Sequence, residues 1–245
     1  MAFNEVLGRM GESEVAYRLR MGFSPRAVLF LLVVGGAILR GFRLNTLGDF
    51  DFDEVAAVWY ARSSPSDIVA AISAAPFEHP PGYYIGLHYW TTWFGEQEPI
   101  VRWLSVLLGL LLVPATYRLA RLFVSVWPAV LAAGLVTASP LLVFFSREAR
   151  MYVPATLFAV LSLWVFERAM RYGRGRDWCW LGLLVVIGGY IDYSVLLAVV
   201  AMNIVLPWRF ATQRRSVITF VFIELVGIAL VLPWLILSRG VHESL

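Results

Sequence analysis

The chain has 245 residues, 60% of them hydrophobic and only 15% charged, well below the ~25% charged content of a soluble domain. Its net charge of +3 sets twenty arginines, with no lysine, against seventeen acidic residues; in so apolar a chain, basic residues report membrane topology rather than a nucleic-acid partner. Cys179 stands alone, which excludes an intrachain disulfide and a cysteine metal site and leaves it as a small hydrophobe in an apolar run.

Apolar runs long enough to span a bilayer recur without a period of two, which predicts an all-α integral membrane protein rather than a barrel. Residues 1–24 are polar and rich in arginine, a cytoplasmic segment by charge. Val6, Leu7, Met10, Val15 and Leu19 fit either a weak interfacial stripe or a loose tail. Ser24-Pro25 then supplies an N-cap and a first-turn proline for a first span over 25–42. No small-residue cleavage site follows, so this run stays as an anchor. Arg40 and Arg43 end it and are expected to snorkel to the interface.

Residues 43–98 form a large first outer loop holding eight of the seventeen acidic residues. Short juxtamembrane helices are expected over 54–62 and 65–75, the second opened by Ser64-Pro65. The stretch 82–94 is apolar but only 13 residues long, against the ~20 a span needs. Its six aromatics and His88 suit a helix lying along the interface. Seven spans follow, at 25–42, 99–121, 126–146, 150–169, 178–192, 194–210 and 216–238, together making a transmembrane module over 25–245. With this count Arg118 and Arg121, then Arg168, Arg171, Arg174 and Arg176, then Arg209, Arg214 and Arg215 all fall inside with the N-terminus. The tightest turn is Tyr190-Ile191-Asp192-Tyr193. Glu224, near the middle of the last span, is either a functional acid or a partner for Asn203.

The outer face collects groups that a bilayer centre would not tolerate. Asp53-Glu54 lies about ten residues past the first span, followed by Glu78-His79-Pro80-Pro81, Arg102, the turn Ser146-Arg147-Glu148-Ala149-Arg150-Met151-Tyr152, and Asp192. A carboxylate at the membrane surface can act as a general base. Arginines at the same level can hold a phosphate by bidentate, charge-assisted hydrogen bonds. Aromatic rings suit both a sugar face and the lipid interface. Such a set fits a substrate with an isoprenoid tail in the bilayer and a phosphosugar head at its surface. The same acids could instead cap the following helix, and the arginines could merely snorkel. His79 and His88 lack a ligand spacing, so no metal or other cofactor, a divalent cation included, is indicated.

The ordered stretches DFDEVAAVWYARSS, HPPGYY, FGEQEPIVRWLSVLLGLLLVPATYRLARLF and SPLLVFFSREARMY resemble the GT-C superfamily of integral-membrane glycosyltransferases. The nearest branch holds the protein O-mannosyltransferases and the aminoarabinose transferases of lipid A. The resemblance covers roughly residues 25–200 and corresponds to the family's N-terminal module, members being usually about twice as long. It implies Asp53 as the catalytic base, by its adjacency to Glu54 as neighbour or orienter, with Asp49 and Asp51 beside it as the alternative bases. It places Arg102 and Arg150 near the donor phosphate, with Arg147 and Tyr152 on the same turn. His79 belongs to the motif that folds the loop back onto the membrane beside the substrate.

The function implied is inverting transfer of a sugar from a polyprenyl-phosphate donor to a lipid, glycan or protein acceptor. The setting implied is the outer face of a bacterial cytoplasmic membrane, with no nucleic acid involved. The alternative is a non-catalytic or truncated subunit that binds the lipid-linked sugar or assists assembly. A transporter fits less well, because no internal repeat is evident and the midplane offers little beyond Glu224.

Overall fold

A computed structural model describes residues 24–46, 48–75 and 79–240 and contains helices and no strand among them. The stripe expected near the N-terminus and Glu78 lie outside the described residues. Helix α1 (Pro25–Gly41) opens as its sequence dictates: Ser24 accepts the Ala27 N–H and Pro25 occupies the first turn. The outer loop carries α2 (Phe52–Ala61) and α3 (Pro65–Ala74). Helix α2 starts two residues before its expected position because Asp51 is the N-cap, in a reciprocal capping box with Glu54.

Helix α4 (Gly82–Phe94) spans 13 residues, about 20 Å at 1.5 Å per residue. It buries Tyr83, Tyr84 and Leu87 against Ala57 and Val58 of α2 and Ile68 and Ile72 of α3. Gly82 is required where α4 meets the end of a later helix, since a Cβ there would lie 2.5 Å from the Tyr190 carbonyl oxygen.

The remaining helices are α5 (Glu98–Ala120), α6 (Val126–Ala138), α7 (Pro140–Ser146), α8 (Tyr152–Tyr172), α9 (Gly175–Ile191) and α10 (Leu196–Gly240). By length and apolar composition α5, α8 and the stretch Tyr193–Ser238 can each cross a membrane, and α6 with α7, bent by 55°, makes a fourth if the pair is one span. Helices α1 and α9, at 17 residues each, stand at the short edge of spanning length. The chain is a multi-pass membrane protein. Helix α10 is two arms: Gln213 has φ −131° and ψ 36°, outside helical values, and the chain doubles back there. Asn203 of the first arm donates to Glu224 of the second at 2.8 Å. Ala198, Met202 and Leu206 share one core with Val217 and Phe220.

Arg40 does not snorkel. It is fully buried and turned inward, where it donates to the carbonyls of Thr137 (3.1 Å) and Val136 (3.2 Å) and to Ser146 Oγ (3.1 Å). The reason is the break between α6 and α7. Pro140 has no N–H, so the Val136 carbonyl loses its helical partner, and an unpaired carbonyl inside a membrane is costly. Arg40 supplies the missing donors and fixes Ser146, the residue just before the Arg147–Arg150 turn.

Candidate active site

The outer end of the bundle is organised around Glu54, whose side chain is 3% exposed. The first turn of α2 delivers it inward. Arg102, one turn into α5, meets it with Nε–Oε1 at 2.9 Å and Nη2–Oε2 at 2.6 Å. The Ala149 N–H adds a bond to Oε1 at 2.9 Å, and the Asp51 N–H one to Oε2 at 3.4 Å. Arg102 also donates to the carbonyls of Gly48 (3.2 Å) and Asp49 (3.4 Å), so four of its five N–H groups are engaged. This one ion pair ties the outer loop, α5 and the turn before α8 together. Both Glu54 oxygens are occupied, which leaves the group little capacity to take a proton from a substrate.

Asp53, the next residue back, faces outward with a side chain 56% exposed. Helix capping is done by Asp51, so Asp53 is released from that duty. Its carboxylate lies 3.5 Å from Arg150, whose side chain is only 9% exposed. Arg150 further donates to the Asp53 carbonyl (3.3 Å) and the Tyr152 hydroxyl (3.5 Å) and stacks over the Tyr152 ring. Burial works against its charge, but Tyr152, Tyr84 and Asp53 outweigh it and hold the guanidinium above its ordinary value. Ser105 of α5 fixes the turn by donating to the Arg150 carbonyl at 3.5 Å. Arg147 donates to the Phe42 carbonyl at 2.9 Å. The buried Nε atoms of both Arg147 and Arg150 have no hydrogen-bond partner among the described residues.

A cleft of about 450 Å³ opens beside this set, lined by Asp49, Asp51, Glu54, Arg102, Arg147 and Glu148 with an apolar wall from α7. Glu148 is held above the usual carboxylate range, by burial first and then by repulsion from Asp51, Glu54 and Asp53, with Arg150 opposing.

His79 sits on a different wall. Its Nδ1 lies 2.7 Å from Asp192 Oδ2, joining the start of α4 to the turn after α9. Asp192 also accepts from the Ser194 N–H at 2.7 Å. His88 bonds the Ala61 carbonyl at 2.8 Å. The two histidines thus serve separate packing contacts, and no cluster of three or more metal-ligating side chains occurs among the described residues.

The structure therefore brings together Asp53, Glu54, Arg102, Arg150 and Tyr152, with Glu54, Arg102 and Arg147 lining the cleft and Asp53, Arg150 and Tyr152 beside it, and places His79 apart as a brace. Sequence reasoning missed Arg40 and the raised Glu148. The signal for Arg40 was an arginine placed within an apolar run, a functional candidate by default in a membrane helix.

Residues 78–237, more than half of the chain, match the family model described as Dolichyl-phosphate-mannose-protein mannosyltransferase. The chain belongs to this family. The match includes His79, Arg102, Arg147, Arg150 and Tyr152, while Asp53 and Glu54 lie before it. Among solved structures, the S. cerevisiae protein O-mannosyltransferase Pmt1–Pmt2 complex bound to the sugar donor superposes with a TM-score of 0.67 at 18% identity, over 90% of this chain and 33% of that one. The mannosyltransferase fold expected from the ordered motifs is thus present, and the chain spans about a third of the yeast subunit it matches. No match was found among curated protein sequences.

Proposed function

We propose that residues 25–245 form the donor-handling module of a glycosyltransferase that moves a sugar, mannose by family, from a polyprenyl-phosphate carrier to an outer-face acceptor. One observation supports this most directly. Two adjacent carboxylates have opposite situations: Glu54 is buried and fully bonded, whereas Asp53 is exposed beside a guanidinium that has a free Nε. In this reading Asp53 removes the proton from the acceptor hydroxyl. The acceptor oxygen then forms a bond to the anomeric carbon as the carbon–oxygen bond to phosphate breaks, with inversion. The polyprenyl phosphate leaves carrying the electron pair, and Arg150 with Arg147 compensates its charge. Arg102 acts through Glu54 as a positioning residue, and Tyr152 offers a ring to the donor head. The proposed chemistry draws on no cofactor.

The seven-span topology is part of this proposal. It puts the N-terminus and the arginine-rich loops in the cytoplasm and the site at the outer surface of a bacterial cytoplasmic membrane. Purified protein supplied with labelled polyprenyl-phosphate mannose and candidate lipid, glycan and peptide acceptors tests the reading. Transfer of label supports it. Donor binding without turnover on any acceptor would favour the alternative of a lipid-binding subunit that serves another catalytic chain.

A further inference from the structure

At the end of the bundle opposite the active site, a groove of about 400 Å³ runs between α5, α8 and the first arm of α10. Its walls are apolar, with Leu119, Phe123, Leu163 and Val205 among them, and its polar end is Glu167 with Arg209. From Ala201 to Arg209 the groove follows nine helical residues, about 12 Å from first to last at a rise of 1.5 Å per residue. That is close to the ~15 Å of one bilayer leaflet's hydrocarbon.

The polar end carries positive charge. Glu167, 5% exposed, accepts from Arg171 and from Arg209 at 2.6 Å each, using one nitrogen of each guanidinium and leaving further N–H groups on both. Arg171 also lies over the ring of Phe123, a groove residue, at 5.3 Å. Nine of the eleven arginines between 118 and 215 occupy this end, all but Arg147 and Arg150, and Glu167 and Asp177 are its carboxylates among the described residues. Both acids are buried, whereas Arg118, Arg121, Arg174, Arg176, Arg214 and Arg215 are exposed. A loop obeying the positive-inside tendency needs arginines but needs neither the groove nor a buried acid holding two guanidiniums at its mouth.

We propose that this groove binds one anionic phospholipid, its acyl chain between α5, α8 and α10 and its phosphate on Arg209 and Arg171. A basic pocket between helices at the membrane surface suits such a headgroup. The apolar walls fit an acyl chain and would leave an acidic soluble protein unmatched. The site rests on the membrane reading of the bundle and not on transferase activity, so the two can fail separately.

Native mass spectrometry of the detergent-purified chain, with added phosphatidylglycerol or phosphatidylcholine of the same acyl composition, tests it. Retention of one phosphatidylglycerol over phosphatidylcholine is expected. Arg209→Gln, which leaves Arg171 on Glu167, reduces that retention about fivefold, the factor for one basic residue at a membrane surface. Ala201→Phe fills the groove without changing charge and reduces retention as well. Arg174→Gln, at the same end but off the groove, leaves it unchanged. Equal retention of the two lipids overturns the proposal, as does an Arg174→Gln loss that matches Arg209→Gln.

Discussion

Removing Arg102 tests whether the Glu54 clamp organises the outer end. Arg102→Met strands a carboxylate whose side chain is 3% exposed, leaving it the N–H groups of Ala149 and Asp51 alone. Breaking a buried pair by deleting one partner costs about 3–5 kcal/mol, mostly the penalty of an uncompensated charge. At about 2–4 °C per kcal/mol for a chain of this size, thermal unfolding in detergent falls by roughly 6–20 °C. Adding Glu54→Gln removes the stranded charge, so the double variant is more stable than Arg102→Met alone. The assay is a four-protein cycle read by melting temperature. A loss of under about 1 kcal/mol for Arg102→Met, the value of an exposed pair, together with simple additivity in the double variant, would refute the clamp.

Gly82→Ala forces a Cβ onto the Tyr190 carbonyl and lowers stability by about 1–3 kcal/mol, seen as a lower melting temperature; an unchanged value contradicts the close approach of α4 to α9. Arg150→Gln weakens binding of a polyprenyl-phosphate donor by about 10–100-fold, the worth of a charge-assisted hydrogen bond, and a filter-binding assay showing wild-type affinity would remove Arg150 from the phosphate site. Glu148 has a raised pKa in the fold, so the fold disfavours its ionised form, and stability is lost as pH rises from the ordinary carboxylate value through the raised one. Glu148→Gln therefore melts higher than wild type at neutral pH and equally at pH values below the ordinary carboxylate range; a constant difference across pH counts against this origin.

Much of the architecture could be read from hydropathy, because lipid forces backbone bonds into helices and so ties spans to apolar runs. Ser24-Pro25 and Ser64-Pro65 gave true helix starts for the same local reason, a side-chain oxygen meeting a free N–H. Residues 82–94 form a helix of the 13 residues expected, shorter than the ~20 a span needs. Arg40 misled because an arginine at the end of an apolar run is usually an anchor, and its actual partners are two carbonyls about a hundred residues away, that of Val136 freed by Pro140 and that of Thr137. At the candidate site the adjacency of Asp53 and Glu54 was visible in sequence, but the burial of one and the exposure of the other were not. That division depends on Asp51 taking the cap and on Arg102 reaching across from α5, both facts of three-dimensional packing. The kink at Gln213 likewise lacks a glycine or proline to announce it; only the arginines beside it marked a turn.

Asp53→Asn, measured for donor affinity and for transfer rate in the same preparation, probes the central claim most directly. The exposed side chain can change to an amide without disturbing the Glu54–Arg102 pair, so donor binding stays near wild type. Loss of a general base lowers transfer by about 10²–10⁴-fold. Transfer at the wild-type rate, with Glu54→Gln alone abolishing it in a protein that still folds, would contradict the assignment.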